Sequence, residues 1–231
     1  MQVMIVDDDA VSRLALADLM QKMGFSDVFE FEDGQAAWEY LEKNPLPILC
    51  CCDVRMPKMS GIELLQKVRA DQHIKSLSFV LITSGNDRDT VQNAVMLGVS
   101  GYIVKPFNAG GAIEKLNEFF SNEWKDISER PEATARRLSI SKEKLENYYT
   151  AFIVQVDKLI DMCAFTPDVL ALPDIDEKID AMKTGCLTLG LWHCSRQLEL
   201  LKVRKDKNDS LELYLSAVKS TINYQLSFVS T

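Results

Sequence analysis

Five residues in the first half of the chain have the types and positions for shared chemistry: Asp7, Asp8, Asp53, Thr83 and Lys105. Each closes or follows a short apolar run, at 3–6, 48–52, 79–82 and 102–104. If those runs are parallel strands, the residues at their C-terminal ends gather at one edge of the sheet, where open α/β sheets bind ligands. Three carboxylates drawn together raise one another's pKa unless a cation sits among them. Hard carboxylate oxygens with room for water are a ligand set for Mg²⁺, or equally Mn²⁺. Lys105 adds a compact positive charge and Thr83 a hydroxyl. A metal-bound carboxylate opposite a lysine can attack a phosphoryl group, with the metal and Lys105 neutralising its oxygens and Thr83 donating a hydrogen bond to one of them.

The elements that must position these groups are legible over residues 2–121. Apolar runs at 3–6, 28–31, 48–52, 79–82 and 102–104 alternate with amphipathic stretches at 11–23, 35–42, 61–69, 90–97 and 111–120. Five strands alternating with five helices predict a doubly wound parallel α/β sheet with helices on both faces. The run 48–52 is apolar throughout, as suits a central strand buried on both sides.

Beyond residue 121 the pattern changes. Residues 122–140 are polar, include Pro131, and read as a partly helical linker. From 141 to 231 only helical periodicity remains. Leu145, Tyr149, Phe152, Val156, Leu159 and Cys163 form one stripe, and Ile175, Ile179, Met182, Cys186 and Leu189 a second. Leu191, Cys194, Leu198 and Leu201 form a third, and Leu211, Leu215, Val218, Ile222 and Val229 a fourth. Asp174 with Glu177 and Asp209 with Glu212 read as acidic capping boxes. Four amphipathic helices with short connections predict a four-helix bundle.

Composition limits the alternatives. A chain of 231 residues, 47% hydrophobic and 26% charged, has material for two soluble cores. Residues 1–123 hold 11 Lys and Arg against 18 Asp and Glu, and the remainder 15 against 16. Neither half carries the basic footprint of a nucleic-acid binder. No signal peptide or membrane-length apolar run is visible, so a cytoplasmic address without membrane association is expected. Of the six cysteines, Cys50, Cys51 and Cys52 alternate faces of a strand, and the others are scattered along helices. All six are expected to be free thiols, since cytosolic cysteine stays reduced and packs as a small hydrophobe. Cys186, His193 and Cys194 lack paired metal-ligand spacing.

The stretches Val6-Asp7-Asp8, Asp53-Val54-Arg55-Met56-Pro57-Lys58-Met59-Ser60-Gly61, Ile82-Thr83-Ser84 and Gly101-Tyr102-Ile103-Val104-Lys105-Pro106-Phe107 resemble the CheY-like response-regulator receiver family. The resemblance covers about the first 120 residues. It implies that Asp53 accepts the phosphoryl group, Asp8 binds the metal directly, and Asp7 binds it through water. The backbone carbonyl of Arg55 would be a further metal ligand. Thr83 and Tyr102 would form a switch pair, Lys105 would bind the phosphoryl group, and the Lys105–Pro106 bond would be cis. Asp9 is expected to be only a solvated residue near a helix start, where the dipole favours it.

The segment Asp180-Ala181-Met182-Lys183-Thr184-Gly185-Cys186, with Gly190-Leu191 beyond it, resembles the central motif of histidine-phosphotransfer (Hpt) domains. Asp180 stands where that family has its phosphorylated histidine, and Thr184 where it has a small residue, with Gly185 displaced by one. An aspartate on a helix cannot replace imidazole as the nucleophile. The bundle is thus expected to be Hpt-like without its histidine, with Asp180 and Lys183 as an exposed i,i+3 pair and His193 outside the motif.

These resemblances imply a two-component response regulator, phosphorylated by a sensor histidine kinase, that controls protein–protein contacts of the bundle with a downstream protein. No separate enzyme activity is expected. Two alternatives stay open: a phosphate sink or kinase-docking component whose bundle binds regardless of phosphorylation, and an unrelated dimerisation or interaction module. A homodimer is compatible with either.

Overall fold

The computed structural model describes residues 1–25, 27–84, 88–166, 168–204 and 210–229, without the side chains of 88–91 and 121–126. The chain divides into two compact units, one of residues 2–42 and 46–123, the other of the remainder. They are described separately.

From residue 2 to 127, strands β1 (Gln2–Val6), β2 (Asp27–Phe31), β3 (Leu49–Asp53), β4 (Phe79–Ser84) and β5 (Gly101–Lys105) alternate with helices α1 (Ala10–Lys22), α2 (Gly34–Lys43), α3 (Gly61–Ala70), α4 (Arg88–Met96) and α5 (Ala109–Ile127), the last running past the end of the first unit at residue 123. All strand pairs are parallel, in the order β2-β1-β3-β4-β5. Strand order reverses between β1 and β3, so the crevice beyond their C-terminal ends is the natural ligand site. The expected doubly wound sheet is therefore present.

β3 lies centrally, and Cys50, Cys51 and Cys52 are each fully buried. All six cysteines are free thiols. Burial pushes the Cys51 thiol up to about 12, and those of Cys50 and Cys52 also rise well above the ordinary range. They act as small apolar side chains and not as nucleophiles.

Local chemistry sets the helix starts near this edge. Asp9 caps α1, its carboxylate accepting from the backbone N–H groups of Val11 and Ser12. It has a structural task beyond the solvated role expected of it. Ser60 and Glu63 form a reciprocal capping box at α3. Asp33 accepts from the Ala36 N–H at 2.8 Å and binds the Lys58 ammonium at 2.6 Å. That bond tethers Lys58, whose left-handed backbone (φ 63°) is unusual for a side-chain-bearing residue.

The second unit contains α6 (Pro131–Leu138), α7 (Lys142–Phe165), a 3₁₀ turn (Val169–Ala171), α8 (Ile175–Thr188), α9 (Trp192–Arg204) and α10 (Leu211–Val229). The four apolar stripes merge in one core, with Cys163 at its margin. Tyr149 and Tyr214, both fully buried, are its largest members. The four long helices match the expected helical unit, with α6 added.

Residues 128–138, part of the stretch read from sequence as a linker, pack into this core. Ala135 lies within it, and Ser128 and Thr134 are fully buried. Ser128 donates to the Gly190 carbonyl at 3.2 Å and accepts from Gln225 at 2.7 Å. The Glu129 carboxylate gathers Thr134 and Arg137, and Arg137 also donates to the Thr188 carbonyl. Polar composition here reflects a side-chain network and not solvent exposure.

Two capping expectations end differently. Asp174 makes no cap bond at α8 and instead pairs with Lys178, because its backbone is not extended enough to aim the carboxylate at the helix N–H groups. Asp209 lies outside the described residues.

Candidate functional site

The strand register brings the acidic residues together. Val6 lies opposite Cys52, and Asp53 opposite Ile82. Asp7 follows β1 at once, its N–H donating to the Phe31 carbonyl at 3.0 Å. Its own carbonyl accepts from Arg13, and its Oδ1 accepts from the Asp9 N–H at 3.0 Å. The β1–α1 turn is thereby fixed. Asp7 is fully buried, while Asp8 is exposed and Asp53 half-buried. One carboxylate oxygen from each of the three lies within 4.8 Å of the others.

Lys105 joins two of them, with Nζ 2.6 Å from Asp53 Oδ2 and 2.8 Å from Asp7 Oδ2. Burial by itself would lower the Lys105 pKa, but the hydrogen bond to Asp53 and the attraction of both Asp53 and Asp7 outweigh it and hold the pKa above the ordinary value. Burial raises the Asp7 carboxyl, against the pull of Lys105. The Asp7 Oδ2 atom is sealed from solvent, and the nearby ammonium lies off the line of a good hydrogen bond. The donor set suits a divalent cation: three carboxylates against one ammonium leave two negative charges, and one buried oxygen lacks a well-aligned donor.

The remaining expected residues surround this centre. Thr83 closes the buried part of β4 and donates to the Ser84 carbonyl at 3.3 Å, so its hydroxyl does not engage Asp53. The Arg55 N–H approaches Asp53 Oδ1 at 3.3 Å, and its side chain reaches Ser84 Oγ at 2.6 Å. Tyr102 points outward, 46% exposed. The Lys105–Pro106 peptide is cis.

Close approach of α3 to the site depends on Gly61. A Cβ there would lie 2.1 Å from the Asp53 carbonyl oxygen. Sequence reading passed over the contributions of Arg13, Asp33 and the Ser60–Glu63 box. Only the last had a local signature, a serine followed three residues later by glutamate.

In the helical unit, Asp180 is exposed on α8, and its main partner is Lys202 of α9, at 2.9 and 3.0 Å. Lys183 lies 3.8 Å from Asp180 and bonds Glu199 instead. The expected i,i+3 pair is thus the minor member of an ion-pair ladder between α8 and α9. The hydrogen bond from Lys202 lowers the Asp180 carboxyl pKa. Gly185 faces inward, where a Cβ would meet the Phe152 ring at 2.4 Å. Its small size serves helix packing. His193 is half-buried, with its Nε2 3.0 Å from Gln197 Nε2.

Residues 3–117 match the response regulator receiver domain family. Over 116 residues the chain is 37% identical to chemotaxis protein CheY1 of Helicobacter pylori, covering 50% of this chain and 94% of that protein. Over 120 residues it is 38% identical to chemotaxis protein CheY-3 of Vibrio cholerae, covering 52% and 92%. A solved response regulator receiver protein from Pseudomonas putida is 29% identical, with a TM-score of 0.47, over 51% of this chain and 97% of that one. Through its N-terminal half this chain belongs to the response regulator receiver family. No helix among the described residues is long and apolar enough to cross a membrane.

Proposed function

We propose that the chain is a two-component response regulator that accepts a phosphoryl group on Asp53 from a sensor histidine kinase. The observation that carries this reading is the single ammonium of Lys105 set between the Asp7 and Asp53 carboxylates, with Asp8 alongside.

Asp8, Asp53 and the Arg55 carbonyl would hold Mg²⁺ or Mn²⁺ directly, with Asp7 acting through water. When bound, the cation neutralises charge on the phosphoryl oxygens. An Asp53 carboxylate oxygen attacks phosphorus in line with the phosphohistidine nitrogen. The new O–P bond forms as the N–P bond breaks, and the electron pair returns to the imidazole. Lys105 exchanges its bond to Asp53 Oδ2 for one to a phosphoryl oxygen. The Thr83 hydroxyl leaves the Ser84 carbonyl and turns to another, and the Tyr102 ring follows inward. This local exchange of hydrogen bonds biases two arrangements of the β4–β5 face.

The helical unit is read as the output, binding a downstream protein in a manner set by Asp53. Residues 1–121 are taken as the receiver and 141–231 as the output bundle, with 128–138 of the intervening stretch packed as part of that bundle. A second reading has its own support. Asp180 is engaged by Lys202, and Gly185 is turned inward against Phe152. Both favour an interaction module that carries no phosphotransfer chemistry of its own, whether derived from an Hpt domain or not.

Calorimetric titration of the full chain with beryllofluoride tests the site. Saturable one-to-one binding that needs Mg²⁺ and disappears in Asp53→Asn is expected, and Mg²⁺-independent binding would refute it. Small-angle scattering of the same samples separates the output readings. A change of shape or mass on binding supports control of the helical unit, whereas none supports a sink or independent docking component.

A further inference from the structure

Tyr102 and Thr83 share a face of the sheet. In parallel pairing, residues in register point the same way, and Leu81 lies opposite Tyr102 and Thr83 opposite Val104. A ring that swings from its outward position toward Thr83 therefore stays on one face and needs no change in register. Something must hold so large an aromatic group half in water, where burial would otherwise favour it.

The contact that does so comes from α5. Lys115 Nζ stands over the Tyr102 ring, 5.0 Å from its centroid, within cation–π range. Lys115 makes no ion pair among the described residues, so no carboxylate accounts for the placement of its ammonium. It is the outward ring, 46% exposed, that makes this contact.

We infer that Lys115 is a positioning residue that holds Tyr102 outward and so sets the resting balance of the Thr83–Tyr102 switch. The inference rests on the switch reading proposed above. An exposed cation–π contact biases a two-state equilibrium on the order of 2- to 5-fold. Because a ligand that favours the inward state must work against that bias, removing it tightens the ligand's binding by up to the same factor.

The test uses the full chain labelled with fluorotyrosine, with the Tyr102 resonance assigned by its loss in Tyr102→Phe. Fluorine NMR is recorded with Mg²⁺, before and after saturation with beryllofluoride, and affinity is taken from calorimetry. Lys115→Met keeps the length and apolar stem while removing the charge. Lys115→Arg keeps a cation able to stack on the ring. The expected result is that Lys115→Met moves the unliganded Tyr102 resonance toward its liganded position and tightens beryllofluoride binding about 2- to 5-fold, with Lys115→Arg close to wild type. If the resonance responds to beryllofluoride but not to Lys115→Met, the inference is overturned and the switch reading stands. If beryllofluoride binds without moving the resonance in wild type, the switch reading fails and the inference falls with it.

Discussion

Gly61 begins α3 directly against Asp53: a Cβ at that position would lie 2.1 Å from the Asp53 carbonyl oxygen. The backbone of the central strand and the first turn of the next helix are in contact at the residue proposed to carry the phosphoryl group. That contact fixes the strand end from behind, while Lys105 holds the carboxylate from the front at 2.6 Å.

Gly61→Ala is expected to destabilise the receiver by about 1–3 kcal/mol, the usual cost of overpacking a tight core site. In a domain of this size, each kcal/mol lowers Tm by about 2–8 °C. Thermal unfolding followed by circular dichroism measures this. The displaced Asp53 should also weaken beryllofluoride binding in calorimetry.

Lys105 competes with any cation for the oxygens of Asp7 and Asp53. Lys105→Gln is expected to tighten Mg²⁺ binding while slowing phosphoryl transfer to Asp53 by about 10²-fold, the scale set by loss of one preorganised charge-stabilising group. Mg²⁺ titration and the rate of labelling by acetyl phosphate read the two effects independently. A variant that weakens both would contradict the competition.

Asp33 predicts an acid-sensitive contribution to stability. The hydrogen bond from Lys58 holds its carboxyl below the ordinary value of 3.8. A group depressed in the folded state stabilises above its unfolded pKa and loses that contribution as pH falls through the folded one. The stability gap between wild type and Asp33→Asn should therefore be full at neutral pH and close progressively below about pH 3.9. Denaturant unfolding across that range measures it.

In the helical unit, Gly185→Ala should be costly and Asp180→Asn mild. The first forces a Cβ to 2.4 Å from the Phe152 ring, for which about 1–3 kcal/mol is expected. The second breaks an exposed ion pair with Lys202, where solvent screening leaves little to lose. Thermal unfolding of both variants checks the contrast.

What was legible in the sequence follows from the range of each interaction. The strand ends announced themselves because an apolar run closed by Asp53 or Lys105 is a local pattern, and the parallel register does the rest. The four helical stripes were legible for the same reason of period. The chain did not reveal locally that 128–138 packs into the helical core, because Ser128 is satisfied by Gln225 and Gly190, and Arg137 reaches the Thr188 carbonyl, across long sequence separations. Asp33 meeting Lys58 and Lys202 meeting Asp180 are likewise tertiary facts. Gly185 stood one residue beyond the small-residue position of the Hpt motif, held by Thr184, and only the position of Phe152 shows which face it serves.

The central claim is that Asp53 is the phosphoacceptor, and the most direct test is to map the phosphoryl group itself. The full chain is incubated with acetyl phosphate and Mg²⁺, then treated with borohydride to convert aspartyl phosphate to a stable homoserine, and digested for mass spectrometry. The account predicts conversion at Asp53 alone, abolished by chelation of Mg²⁺ and by Asp53→Asn. Conversion at another aspartate, or undiminished in Asp53→Asn, would contradict it.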